Sequence, residues 1–197
     1  MNTPLPPLPR AAAAALALIA IATATVLALQ PTPAASAEWN GLAIAPEHRC
    51  SHYDRKDYPY PQSVELDLIR AMGGRIYGPY TGRYFPTRRD TDIEHIVAVS
   101  EAHDSGLCAA DAPIRRAFAS DLLNLTLAAP EVNRCNRGGK CGYDAAEWQP
   151  AMNRCWFAAR IVAVKRKYAL TVDNAEANAL YRMLAPCTSY DMQFTRP

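Results

Sequence analysis

Two absences narrow the reading at once: the chain has only four histidines in 197 residues, and no two of its six cysteines form a Cys-x-x-Cys pair. Without such a pair the common structural zinc patterns do not fit, although HRCSH brings His48, Cys50 and His52 close together. Zinc is therefore the lesser alternative to disulfides. An excess of one charge is missing too. The chain carries 21 Lys+Arg against 19 Asp+Glu, and setting aside Arg10 with the amino-terminal segment leaves 20 basic residues. A uniformly basic nucleic-acid binder is excluded, so any such affinity must come from local patches. Internal repeats and long low-complexity linkers are lacking beyond the first 37 residues, as are a zinc finger and an evident major-groove reading helix.

What is present begins with an export signal. Arg10 and the amino terminus precede an apolar run, Ala11 to Leu29, and the small-x-small site Ala35-Ser36-Ala37 follows. That order predicts a secretory signal peptide over residues 1–37 and a single mature domain over 38–197. The run is long enough that a retained membrane anchor is the alternative. No lipidation cysteine follows it.

All six cysteines lie in the mature part, and an even number in an exported chain suggests three disulfides among fifteen connectivities. Cys135 and Cys141 bracket NRGGK and can close a small loop. Cys155 and Cys187 can staple two predicted helices, which leaves Cys50 for Cys108.

Periodicity gives a mixed α+β order. Residues 38–60 read as a loose arm tied down by Cys50. Ser63 is expected to cap a short helix that Gly73-Gly74 ends, and RIYGPYTGRYF reads as an irregular hairpin with packing aromatics. The segment DIEHIVAV is expected as a strand, as is LLNLTL, with Pro130 opening a short helix. The longest helix is expected from near Pro150, with Met152, Cys155, Trp156, Ala159 and Val162 on one face. Asp173 with Glu176 forms a capping-box pattern before ANALYRML.

Glu94 and His95 stand side by side among isoleucines and valine in TDIEHIVA, where an unpartnered polar group would cost stability. A buried salt-bridged pair is the plain explanation; a metal ligand beside a general base is the functional one. Adjacent strand residues point to opposite faces, so the pair can share a site only at a strand end or twist. Asp92 is an alternative ligand on the face of Glu94. Asp121 reads as a brace for the loop before Asn124, and Glu101, His103 and Asp104 form a second polar cluster.

The blocks GGRIYGPYTGRYF, DIEHIVAVSEAHDSG, FASDLLNLTLAAPEVNR, EWQPAMNRCWFAARIVAVKRKYAL and AEANAL occur in order over residues 73–180. Together they resemble the secreted members of the HNH, or ββα-metal, endonuclease superfamily. The branch is the one related to the carboxy-terminal nuclease domain of modification-dependent restriction enzymes. The resemblance implies a disulfide-stabilised ββα-metal core with inserted and carboxy-terminal packing helices. It implies one divalent ion held by Glu94 and Asn133, His95 as general base, and Asn124 orienting that base. Many relatives have histidine where Asn133 stands; oxygen donors here favour Mg²⁺ or Mn²⁺ over zinc. Relatives also carry a lysine soon after this asparagine, whereas here Cys135 intervenes and Lys140 comes later.

Histidine has the pKa for a base in phosphodiester hydrolysis, and a metal supplies charge for the transition state. Arg134 is expected to act on the reacting phosphate, with Arg137, Lys140, Lys165, Arg166 and Lys167 as candidate phosphate contacts. The last three equally fit a basic helix end that offsets the helix dipole. The expected activity is an exported, weakly sequence-specific endonuclease on DNA, with RNA as a second substrate. The alternative is a non-catalytic secreted domain that binds nucleic acid or the cell envelope on the same frame.

Overall fold

The computed structural model describes residues 37–135 and 138–196. Of the expected signal peptide, all but Ala37 lies outside the described residues. Among the described residues no helix is long and apolar enough to cross a membrane.

The centre is an antiparallel pair, β5 (Asp92–His95) and β6 (Leu125–Ala128). Two two-residue hairpins precede it: β1 (Glu38–Trp39) with β2 (Leu42–Ala43), and β3 (Tyr77–Gly78) with β4 (Arg83–Tyr84). Helix α1 (Val64–Ala71) lies between these hairpins. The chain between β5 and β6 forms α2 (Val99–Asp104) and α3 (Ala112–Ser120), and α4 (Pro130–Asn133) follows β6 directly. Two helices close the domain, α5 (Arg154–Lys167) and α6 (Asn174–Leu184). The architecture is α+β, with strand, inserted segment, strand, short helix and two packing helices in the expected order.

Local differences have physical causes. The strand expected over DIEHIVAV stops at His95, because the Asn124 side-chain amide takes the Val97 N–H and carbonyl and turns the backbone. Ile96, Val97 and Val99 turn into the main core. Ser63 precedes α1 without a side-chain cap bond. The long helix starts at Arg154, after Asn153 in a left-handed conformation, and Met152 is exposed. Its buried set, Trp156, Phe157, Ala158, Ile161, Val162, Val164 and Lys165, is wider than one stripe because elements pack on several sides. Half of the capping box forms. Asp173 accepts the Glu176 N–H at 2.7 Å, but the Glu176 carboxylate pairs with Lys165.

The amino-terminal arm is more ordered than its composition suggests. Leu42 and Tyr58 are buried in the core, and Ile44 bridges Val172. Disulfides Cys50–Cys108, Cys135–Cys141 and Cys155–Cys187 all form.

Candidate active site

A cleft of about 490 Å³ opens beside the end of β5, and Glu94, His95 and Asn133 all line it. The chain solves the problem of adjacent side chains by ending the strand at His95, where the backbone turns.

His95 is almost fully buried. Its Nε2 lies 2.8 Å from the Ala119 carbonyl, in the last turn of α3, where helix carbonyls lack intrahelical partners. A carbonyl only accepts, so Nε2 carries the proton and Nδ1 of the neutral ring holds the free lone pair. Tyr60 meets the ring edge-on at 5.2 Å and Phe118 stacks at 6.4 Å. Burial lowers the His95 pKa from 6.5 to about 3, so the ring is neutral at neutral pH but a weaker base than the near-neutral histidine expected from sequence.

This shift predicts a pH dependence of stability. Between 6.5 and about 3 the unfolded chain binds a proton that folded His95 refuses. Its contribution is therefore complete above pH 6.5 and is lost as pH falls toward 3. Urea midpoints taken at about pH 7.5 and about pH 5 should fall less for His95→Gln than for the parent. Equal falls would show that the imidazole is not held neutral.

Asn124 is fully buried, and its amide clasps the turn after the histidine. Oδ1 accepts the Val97 N–H at 2.8 Å and Nδ2 donates to the Val97 carbonyl at 3.2 Å. It acts on the backbone beyond His95, not on the ring. Asp121 braces the same loop, accepting from the Leu123 N–H, Lys167 and Tyr168.

Glu94 is 5 % exposed, and the Lys140 ammonium stands 2.9 Å from its Oε1. This ion pair is the partner of the buried Oε1. Lys140 also donates to the His95 carbonyl at 3.0 Å. Burial raises the Glu94 pKa while Lys140 pulls it down, and burial wins. Lys140 reaches this position because its loop folds back on α4. Its N–H bonds the Val132 carbonyl, Cys141 N–H bonds that of Asn133, and Cys135–Cys141 closes the ring. Gly139 is required there, since a side chain would strike the Arg134 carbonyl.

Asn133 donates from Nδ2 to Asp92 at 3.1 Å, and its Oδ1 has no hydrogen bond among the described residues. Arg134 grips Asp92 with two bonds of 2.9 Å. Asp92 is thus committed to Asn133 and Arg134, as Glu94 is to Lys140. The oxygen ligands suit a hard divalent ion: a buried carboxylate and a side-chain amide, in one cleft.

Residues 54–183 match the family described as the C-terminal domain of GmrSD restriction endonucleases. The chain belongs to this family. It is also 28% identical over 169 residues to an "Uncharacterized secreted protein" of Arthroderma benhamiae, covering 75% of this chain and 82% of that one. No solved structure matches.

Several expected contacts need correction within this GmrSD C-terminal domain. Lys165 is fully buried between Glu101 and Glu176, so it cannot track a phosphate backbone. Lys167 pairs with Asp121 and Arg166 donates to the Asn40 carbonyl, so the three basic residues share no strip. Their spacing on the helix sends each toward a different neighbour. Lys140 is buried beside Glu94, where it serves the carboxylate and not the substrate. Arg137 lies outside the described residues. Glu101 and His103 are interior structural groups: His103 bonds Tyr58 and the Ser51 carbonyl. Asp104 pairs with Arg49. None of these three lines the cleft.

A separate acidic group, Glu47, Asp144 and Asp173, lines another cleft and includes no histidine. Tyr53, Arg55 and Tyr60, which no sequence motif marks, form a wall of the His95 cleft. Their only local signal was turn chemistry, Asp54 capping the turn Arg55–Asp57.

Proposed function

We propose that this protein is an exported, divalent-metal-dependent endonuclease. It hydrolyses phosphodiester bonds in DNA, and secondarily RNA, with little sequence preference. The β5–β6 pair and α4 are its ββα-metal core. The observation that carries this reading is the buried Glu94 carboxylate, paired with Lys140, next to a neutral His95 in the cleft that Asn133 also lines.

His95 Nδ1 takes the proton of the attacking water, while the Ala119 carbonyl fixes the ring and its tautomer. Asn124 keeps the turn behind His95 from relaxing. Lys140 stabilises the ionised form of Glu94 against burial. Glu94 and Asn133 would hold one Mg²⁺ or Mn²⁺, which supplies positive charge for the crowded phosphate and leaving oxygen. Arg134, exposed at the rim, can exchange Asp92 for a substrate phosphate. Export follows from the amino-terminal segment, cleaved after Ala37, and is supported by the secreted relative.

The test is digestion of plasmid DNA and structured RNA by disulfide-intact protein with either ion. The parent should cut. Glu94→Ala should lose cleavage and at least about tenfold in Mn²⁺ affinity by titration calorimetry. Intact plasmid and RNA after long incubation with both ions would sink the reading.

A further inference from the structure

We infer that Arg55, on the amino-terminal arm, is a catalytic residue that grips the reacting phosphate opposite Arg134. The inference rests on the nuclease reading above and deepens it.

Among the described residues, Arg55 and Arg134 are the two arginines that line the cleft with His95. Asp92 neutralises Arg134, whereas Arg55 has no carboxylate within ion-pair reach among the described residues. One nitrogen of Arg55, Nη1, donates to the Tyr58 carbonyl. Nε and Nη2 donate to nothing among the described residues, so part of the guanidinium fork is left for a ligand. The group is nevertheless held in place. Its Cζ lies 5.1 Å from the centroid of the Tyr60 ring, and that ring meets His95 at 5.2 Å.

The arm itself is anchored. Tyr58 is fully buried with its hydroxyl 2.6 Å from His103 Nδ1, and Cys50–Cys108 ties the arm to the segment after α2. An unpaired, pre-positioned guanidinium beside a general base suits a phosphate whose charge grows during reaction.

In the step, the water oxygen bonds to phosphorus and its proton passes to His95 Nδ1. The bond from phosphorus to the leaving sugar oxygen breaks with its electron pair, and that oxygen takes a proton from solvent. Arg55 donates to a non-bridging oxygen as phosphorus becomes crowded. A neighbouring phosphate along the strand would be a binding contact only, and a minimal substrate tells the two apart.

The experiment compares the parent, Arg55→Gln, Arg55→Lys and His95→Ala on plasmid DNA and on bis(p-nitrophenyl) phosphate, which has a single phosphate. Glutamine keeps a donor for the Tyr58 carbonyl, and melting curves check that each variant is folded. Arg55→Gln should lose about 100- to 1000-fold in saturated rate on both substrates, the scale for removing one transition-state donor. Arg55→Lys should recover only part of it, since lysine offers a point charge without the fork. Parental turnover of bis(p-nitrophenyl) phosphate by Arg55→Gln, with His95→Ala inactive, would overturn the role of Arg55 alone. A parent inert on both substrates would overturn the nuclease reading and this inference with it.

Discussion

Replacing His95 with alanine should slow cleavage by about two to four powers of ten while leaving the metal and the substrate bound. The size follows from the loss of general-base assistance, and the selectivity follows from geometry. His95 lines the cleft and spends Nε2 on the Ala119 carbonyl, which leaves Nδ1 as the ring nitrogen for proton transfer and not for holding the substrate. Lys140 and the strand position of Glu94 do not depend on the ring, because Lys140 bonds the His95 backbone carbonyl. Single-turnover rates and binding isotherms at matched salt and saturating Mn²⁺ separate the two effects. Asn124→Ala should lower the rate in the same manner, through the turn at Val97. A His95→Ala protein that cuts at the parental rate would remove the assigned base. His103 could not replace it, being fully buried and bonded at both ring nitrogens.

The second large effect concerns stability. Lys165→Met should cost about 3–5 kcal/mol, because it leaves two buried carboxylates without their cation. Lys165 lies 2.8 Å from Glu101 and also pairs with Glu176; it donates further to the Thr171 carbonyl at 3.0 Å. Burial alone would lower its pKa, but the two carboxylates overcome this and hold it above the usual lysine value. Neutralising the whole group, in Lys165→Met with Glu101→Gln and Glu176→Gln, should recover most of the loss. Urea midpoints read this directly. If Lys165→Met melts like the parent and only weakens DNA binding, the side chain is on the surface and the interior ion group is wrong.

The order of elements was legible in the sequence because it rests on local rules. Apolar alternation marked β5 and β6, Pro130 marked α4, and Asp173 marked the start of α6. The three cysteine pairings followed from loop closure and helix position. Glu94, His95 and Asn133 were legible through the resemblance, and the structure brings them into one cleft. What was not legible depends on tertiary contacts. Lys165 resembles any basic residue at a helix end until α2 and α6 bring two acids against it. Lys140 is hidden by a cysteine-closed loop that folds it under Glu94. Arg55 reaches His95 from 40 positions earlier in the chain, over an arm whose sequence reads only as turns. Such pairings between distant segments leave no periodic trace.

The central claim is that the Glu94–His95–Asn133 cleft hydrolyses phosphodiesters with a bound divalent ion. Its most direct test is the rate of supercoiled plasmid cleavage by disulfide-intact protein in Mg²⁺ or Mn²⁺, then in excess chelator, then after the ion is restored. Cleavage should stop on chelation, return on restoration, and do so while circular dichroism shows the disulfide-supported fold unchanged. Undiminished cleavage in excess chelator would contradict the account.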